Sequence, residues 1–95
     1  MKKIWFLLLL LSLIVSMAAS AQIMGTVTDE SGEPVIGATI VEKGNPKNGT
    51  VTNVDGQFTL NVNAGKPIVI TYIGYAPQEV TASNGMTVSL QPDSL

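Results

Sequence analysis

From Ile23 onward, apolar and polar positions alternate in short runs. Phe58, Leu60 and Val62 fall on one side of an extended chain, with Gln57, Thr59 and Asn61 on the other. Ile68, Ile70 and Tyr72 alternate with Val69 and Thr71, and Val88 and Leu90 with Thr87, Ser89 and Gln91. A period of two over four to six residues is the mark of a half-buried strand. Val, Ile and Thr dominate these runs and suit a pleated surface. Seven strands are predicted: 23–28, 38–43, 50–53, 57–62, 68–72, 78–81 and 86–90. Phe58, Leu60, Ile68 and Ile70 are expected in the core. No stretch after Ala21 shows helical periodicity.

Turn chemistry separates the runs. Ser31-Gly32-Glu33-Pro34 is a turn ending in a residue that cannot donate to a ladder. Asn45-Pro46-Lys47-Asn48-Gly49 reads as a loop. Asp55-Gly56 and Asn84-Gly85 tolerate positive φ and predict tight hairpins, and Ala64-Gly65-Lys66-Pro67 predicts another. Short strands at this spacing predict an all-β fold, a small antiparallel seven-stranded β-sandwich of immunoglobulin-like type.

The first twenty-one residues differ from the rest. Lys2 and Lys3 precede an apolar run, Ile4 to Val15, broken only by Ser12. Small residues follow, and Ala19-Ser20-Ala21 fits the small-x-small pattern that signal peptidase cuts. Residues 1–21 are therefore expected to be a signal peptide, with cleavage between Ala21 and Gln22. Residues 22–95 are expected to form the domain. The competing reading is an uncleaved anchor: Ile4 to Ala21 would rise about 27 Å as a helix, close to the roughly 30 Å of a bilayer core. The weakly apolar C-terminal end of that segment favours cleavage.

Composition narrows the function. The chain has no Cys and no His, and its basic residues are all Lys. Without Cys there is no disulfide framework, thiolate metal site or lipid-modified N-terminal cysteine. Without His the usual general base and commonest zinc ligand are missing. Beyond the leader, three lysines face seven carboxylates, a net charge of −4. An acidic domain without Arg is a poor partner for nucleic acid or anionic lipid. After cleavage, membrane contact would be indirect only.

Candidate chemistry is sparse. Asn53-x-Asp55-Gly56 is a fragment of a calcium loop, but placing Gly56 sixth puts Val51 first and Val62 twelfth, where oxygen ligands are needed. Asp29, Glu30 and Glu33 surround one turn and read best as solvated carboxylates. No catalytic triad, phosphate loop, cofactor site or metal site is predicted, so the chain is not expected to be an enzyme. Tyr72 and Tyr75 flank Gly74 and could stack on sugar rings. The favoured reading packs Tyr72 in the core and Tyr75 at a corner, with its hydroxyl bonded to backbone.

Three blocks carry a resemblance. Gly25-Thr-Val-Thr-Asp-Glu-Ser-Gly-Glu-Pro-Val-Ile-Gly-Ala-Thr-Ile40, Gly49-Thr-Val-Thr-Asn-Val-Asp-Gly-Gln-Phe-Thr-Leu60 and Ile68-Val-Ile-Thr-Tyr-Ile-Gly-Tyr75 resemble the carboxypeptidase regulatory-like domain. The version they resemble begins SusC/RagA-type TonB-dependent outer-membrane transporters of the Bacteroidota. The resemblance implies a transthyretin-like β-sandwich on the periplasmic side of the outer membrane, ahead of a plug and barrel. It implies a non-catalytic accessory domain, here truncated before plug and barrel. Its partners would be the outer-membrane transporter or periplasmic envelope proteins, met by strand pairing at an open sandwich edge. The alternative is a stand-alone periplasmic module that binds protein, or glycan through Tyr72 and Tyr75.

Overall fold

A computed structural model of the chain describes residues 4–5 and 21–93. The predicted leader, including Ala19 and Ser20 of the cleavage pattern, lies outside the described residues except for Ile4, Trp5 and Ala21. Seven strands follow in order: β1 (Ile23–Thr28), β2 (Thr39–Glu42), β3 (Asn45–Val51), β4 (Gln57–Leu60), β5 (Pro67–Thr71), β6 (Gln78–Thr81) and β7 (Met86–Ser89). They form a three-stranded sheet, β4-β1-β7, and a four-stranded sheet, β3-β2-β5-β6.

The core lies between the two inner faces. Alternation along β4 turns Phe58 and Leu60 inward, and alternation along β5 does the same for Ile68 and Ile70; all four are buried. Ile23 and Val27 of β1, Ile40 of β2, and Val88 and Leu90 meet them there. Burying such side chains stabilises a fold by about 1.5–3 kcal/mol each before chain entropy is counted.

Three details differ from the sequence expectations. The segment 45–49 is not a loop: Asn45 to Val51 form β3, paired antiparallel with β2. A bulge between Val41 and Glu42 absorbs the irregularity. Pro46 is tolerated because β3 is an edge strand, where a missing N–H costs no ladder bond. The turns at Asp55-Gly56, Ala64-Gly65 and Asn84-Gly85 do not close hairpins; each carries the chain from one sheet to the other. The third difference is the β1–β7 pair, which runs parallel while every other strand pair is antiparallel.

The two Gly-Thr-Val-Thr blocks build the same turn twice. The Asp29 carboxylate accepts the N–H groups of Ser31 (2.8 Å) and Glu33 (3.0 Å). The Asn53 side-chain oxygen accepts those of Asp55 (3.0 Å) and Gln57 (2.9 Å). In both, the first residue's N–H also donates to the carbonyl four residues on, at 2.8 and 2.9 Å. Short side-chain acceptors of this kind replace backbone pairing where the chain must reverse.

Thr52 follows the second block's valine and is buried. Its Oγ1 donates to the Val35 carbonyl (2.5 Å) and accepts the Ala38 N–H (2.9 Å). One hydroxyl thus satisfies both polar ends of the stretch leading into β2. Thr52→Val keeps the shape but strands a buried donor and acceptor, and should cost at least ~1–3 kcal/mol. Urea unfolding of the purified protein measures this; a midpoint equal to that of the unsubstituted protein would contradict the assignment.

Candidate functional site

β5 ends at Thr71, and the chain reverses at once through Tyr72-Ile73-Gly74-Tyr75. The Tyr75 N–H donates to the Tyr72 carbonyl at 3.1 Å. Gly74, third in the turn, has φ +86°, the left-handed value that a type II turn needs there and that glycine supplies without strain. The turn throws Ile73 outward, leaving it 90% exposed. Residues 91–93 fix the turn from the far side: the Ala76 N–H donates to the Gln91 carbonyl (2.9 Å) and the Asp93 N–H to the Gly74 carbonyl (3.1 Å).

The two tyrosines are brought together. Their ring centroids lie 5.9 Å apart at a 45° tilt, a spacing at which aromatic pairs attract. Both are half-buried and pack against the edge of the core. Tyr72 therefore joins the core less completely than expected. The Tyr75 hydroxyl makes no hydrogen bond to the backbone acceptor expected for it, and Glu30 is the nearest carboxylate to act on it. Tyr72, Ile73, Tyr75 and Pro77 line an open groove of about 430 Å³ with Gly37 and Thr39. A second groove, about 500 Å³, opens over Met24, Thr26, Phe58 and Met86.

Partial burial raises the Tyr75 phenol above its ordinary pKa of 10.0; the hydrogen bond and charge of Glu30, then the charge of Asp29, raise it further. All of these disfavour the phenolate. The unfolded chain ionises first, so the contribution of Tyr75 to stability is whole below about pH 10 and is lost as pH rises through the folded pKa. Phenolate absorbance should show a tyrosine that titrates above 10.0, moving toward it in Glu30→Gln. An unmoved titration would contradict the Glu30 contact.

The other predicted positions are quieter. Ala21 is half-buried and Gln22 exposed, its amide 3.4 Å from the Asn61 side-chain oxygen. β1 begins immediately afterwards, so a cut after Ala21 removes nothing from either sheet. Asn53, the first residue of the calcium-loop fragment, spends its oxygen on backbone N–H groups. Among the described residues, no three His, Cys, Asp or Glu side chains converge as a metal site.

Residues 23–94 match the family model of the CarboxypepD_reg-like domain. This chain belongs to the CarboxypepD_reg-like domain family. The chain is 43% identical over 91 residues to the TonB-dependent receptor SusC of Bacteroides thetaiotaomicron, covering 93% of this chain and 9% of that protein. It is 36% identical over 73 residues to the TonB-dependent receptor P39 of Formosa agariphila, covering 76% of this chain and 7% of that protein. The chain thus spans less than a tenth of the length of these curated relatives. Among solved structures, a chain of the type II cohesin–X-dockerin complex of Acetivibrio cellulolyticus superposes with a TM-score of 0.58 at 19% identity, over 74% of this chain and 56% of that one. That likeness is one of sandwich fold. The SusC-type resemblance read from the three sequence blocks is borne out by the receptor relatives.

The sequence pattern singled out Tyr72 and Tyr75, and named Glu30 only as one of three solvated carboxylates around a turn; it did not single out Ile73. Glu30 reaches Tyr75 from a loop more than forty positions away. Ile73 falls just past the predicted strand 68–72, and its outward position follows only once the turn at Gly74 is placed.

Proposed function

We propose that this domain is a non-catalytic N-terminal accessory module of SusC-type TonB-dependent outer-membrane transport, exported by a leader cut after Ala21 and held on the periplasmic side of the outer membrane. The observation that carries the reading is the 43% identity to SusC across 93% of the chain. Its work would be contact with the transporter or with other envelope proteins. Strand pairing at a sheet edge is one route, although Pro46 and Lys47 on β3 and the shortness of β4, β6 and β7 are features that blunt edges. Crosslinking in cells, followed by identification of the captured polypeptide, tests the reading. A TonB-dependent transporter or its envelope partners should be captured, and no envelope protein at all would overturn it.

A second reading is glycan binding at the groove beside Tyr72 and Tyr75, favoured by the two tyrosines that line it. The sole tryptophan, Trp5, lies in the leader, so tyrosine fluorescence of the cleaved protein reports on this groove. A response to polysaccharide supports the glycan reading, and a flat titration rejects it.

A further inference from the structure

Strand direction sorts the loops into two ends. β1, β3, β5 and β7 finish, and β2, β4 and β6 begin, at one end: residues 28–38, 51–57, 71–78 and 89–93. Hydrogen bonds knit these segments together across the sandwich. The Val35 N–H donates to Val27, the Gly37 N–H to Thr52, and the Leu90 N–H to Thr28. The Gln78 amide reaches the Ser89 carbonyl at 2.6 Å.

That end exposes large apolar side chains among its polar ones. Ile36, Val51, Val54 and Ile73 are 56%, 60%, 70% and 90% exposed. Elsewhere in the sandwich only Met24 is comparably large, apolar and exposed among the described residues. Large apolar side chains gathered at one face mark an interaction surface more often than a solvated one.

Charge is sorted along the same axis. Asp29, Glu30, Glu33, Asp55 and Asp93 all lie at this end, and among the described residues no lysine does. Lys43, Lys47 and Lys66 lie at the opposite end together with Glu42, and there the Lys43 N–H donates to the Pro67 carbonyl. The Lys43 ammonium is already paired with Glu79 at 2.6 Å.

We propose that this end of the domain docks a protein surface that sets Lys or Arg side chains around an apolar contact. Ile36, Ile73 and Val54 provide the apolar contact, and the five carboxylates select a basic partner and steer its approach. A second copy of the domain fits less well. Its lysine end offers one exposed large apolar residue, Met24, and one of its three lysines is engaged within the chain. The proposal rests on the accessory-contact reading but names the face and the partner's chemistry. It places contact at the loops rather than at a sheet edge.

Site-specific photo-crosslinking in cells tests it on the exported protein. A photoreactive residue is placed at Ile73, at Val54, at Lys47 on the edge strand β3, or at Met24. Ile73 and Val54 should capture one discrete partner whose crosslinked peptide carries Lys or Arg. Glu33→Lys with Asp93→Lys should cut that capture roughly tenfold or more through like-charge repulsion. Neither side chain holds a turn, and circular dichroism verifies that the sandwich is intact. Four outcomes overturn the proposal: capture of a second copy, a partner peptide without basic residues, capture unaffected by the charge reversal, or capture from Lys47 or Met24 but not from Ile73. The last leaves the accessory-contact reading standing. Capture from none of the four positions removes both.

Discussion

Leu60→Ala will leave much of the domain unfolded at physiological temperature. Leu60 is 2% exposed and sits on the edge strand β4 opposite Ile23 of β1, so its side chain anchors β4 to the core. Truncating a buried leucine costs about 2–5 kcal/mol, because the transfer term is joined by that of an unfilled cavity. A domain of this length holds roughly 4–11 kcal/mol in all. No cysteine is present to supply a compensating cross-link. Thermal melting followed by circular dichroism should show a large fall in Tm. An unchanged Tm would mean that Leu60 is not a core residue.

Gly56→Ala should be nearly as damaging, for a different reason. Gly56 has φ +72°, and a Cβ built there would lie 2.6 Å from the Val27 carbonyl oxygen and 3.0 Å from the Pro34 Cβ. The first feature imposes a left-handed conformation on alanine, at about 1–2 kcal/mol. The second forces backbone against backbone, at about 1–3 kcal/mol more. Gly32 is the internal control. It occupies the same position in the repeated turn, with φ +84°, but nothing lies within 4 Å of its would-be Cβ. Gly32→Ala should therefore cost only the conformational part. Equal losses of stability for the two variants, read from urea midpoints, would contradict the close approach of Gly56 to β1.

The strands were legible because most of them show their inner face every second residue. Phe58 and Leu60, or Ile68 and Ile70, need nothing beyond alternation to be placed inside. Only the end of β3 was legible, within the predicted strand 50–53, and residues 45–49 were hidden because an edge strand obeys weaker rules. Its side chains are largely exposed, and Pro46, which would forbid a central strand, is harmless at an edge. The three misassigned hairpins share one cause. Asn-Gly and Asp-Gly specify the local reversal of the chain but not which sheet receives it, and that choice is made by packing across the core. The repeat of Gly-Thr-Val-Thr followed by an Asp or Asn turn was in plain view, since Gly25 to Glu33 and Gly49 to Gln57 run in step. It announces twin turns with identical hydrogen bonding.

The tyrosine groove was half legible. Gly74 between two tyrosines marks a turn, but the partner of the Tyr75 hydroxyl, Glu30, comes from a loop whose position depends on the β1 register. The segregation of charge is likewise hard to see along the chain, where Lys43 and Lys47 fall between the carboxylates of Glu33 and Asp55. It emerges only when strand direction assigns each loop to an end.

The most direct test of the account is protease accessibility of the domain in cells, followed with an antibody raised to residues 22–93. The account predicts an epitope protected in intact cells and digested once the outer membrane is opened, while a cytoplasmic marker stays protected. An epitope that survives until the inner membrane is breached would place the domain in the cytoplasm and contradict the account.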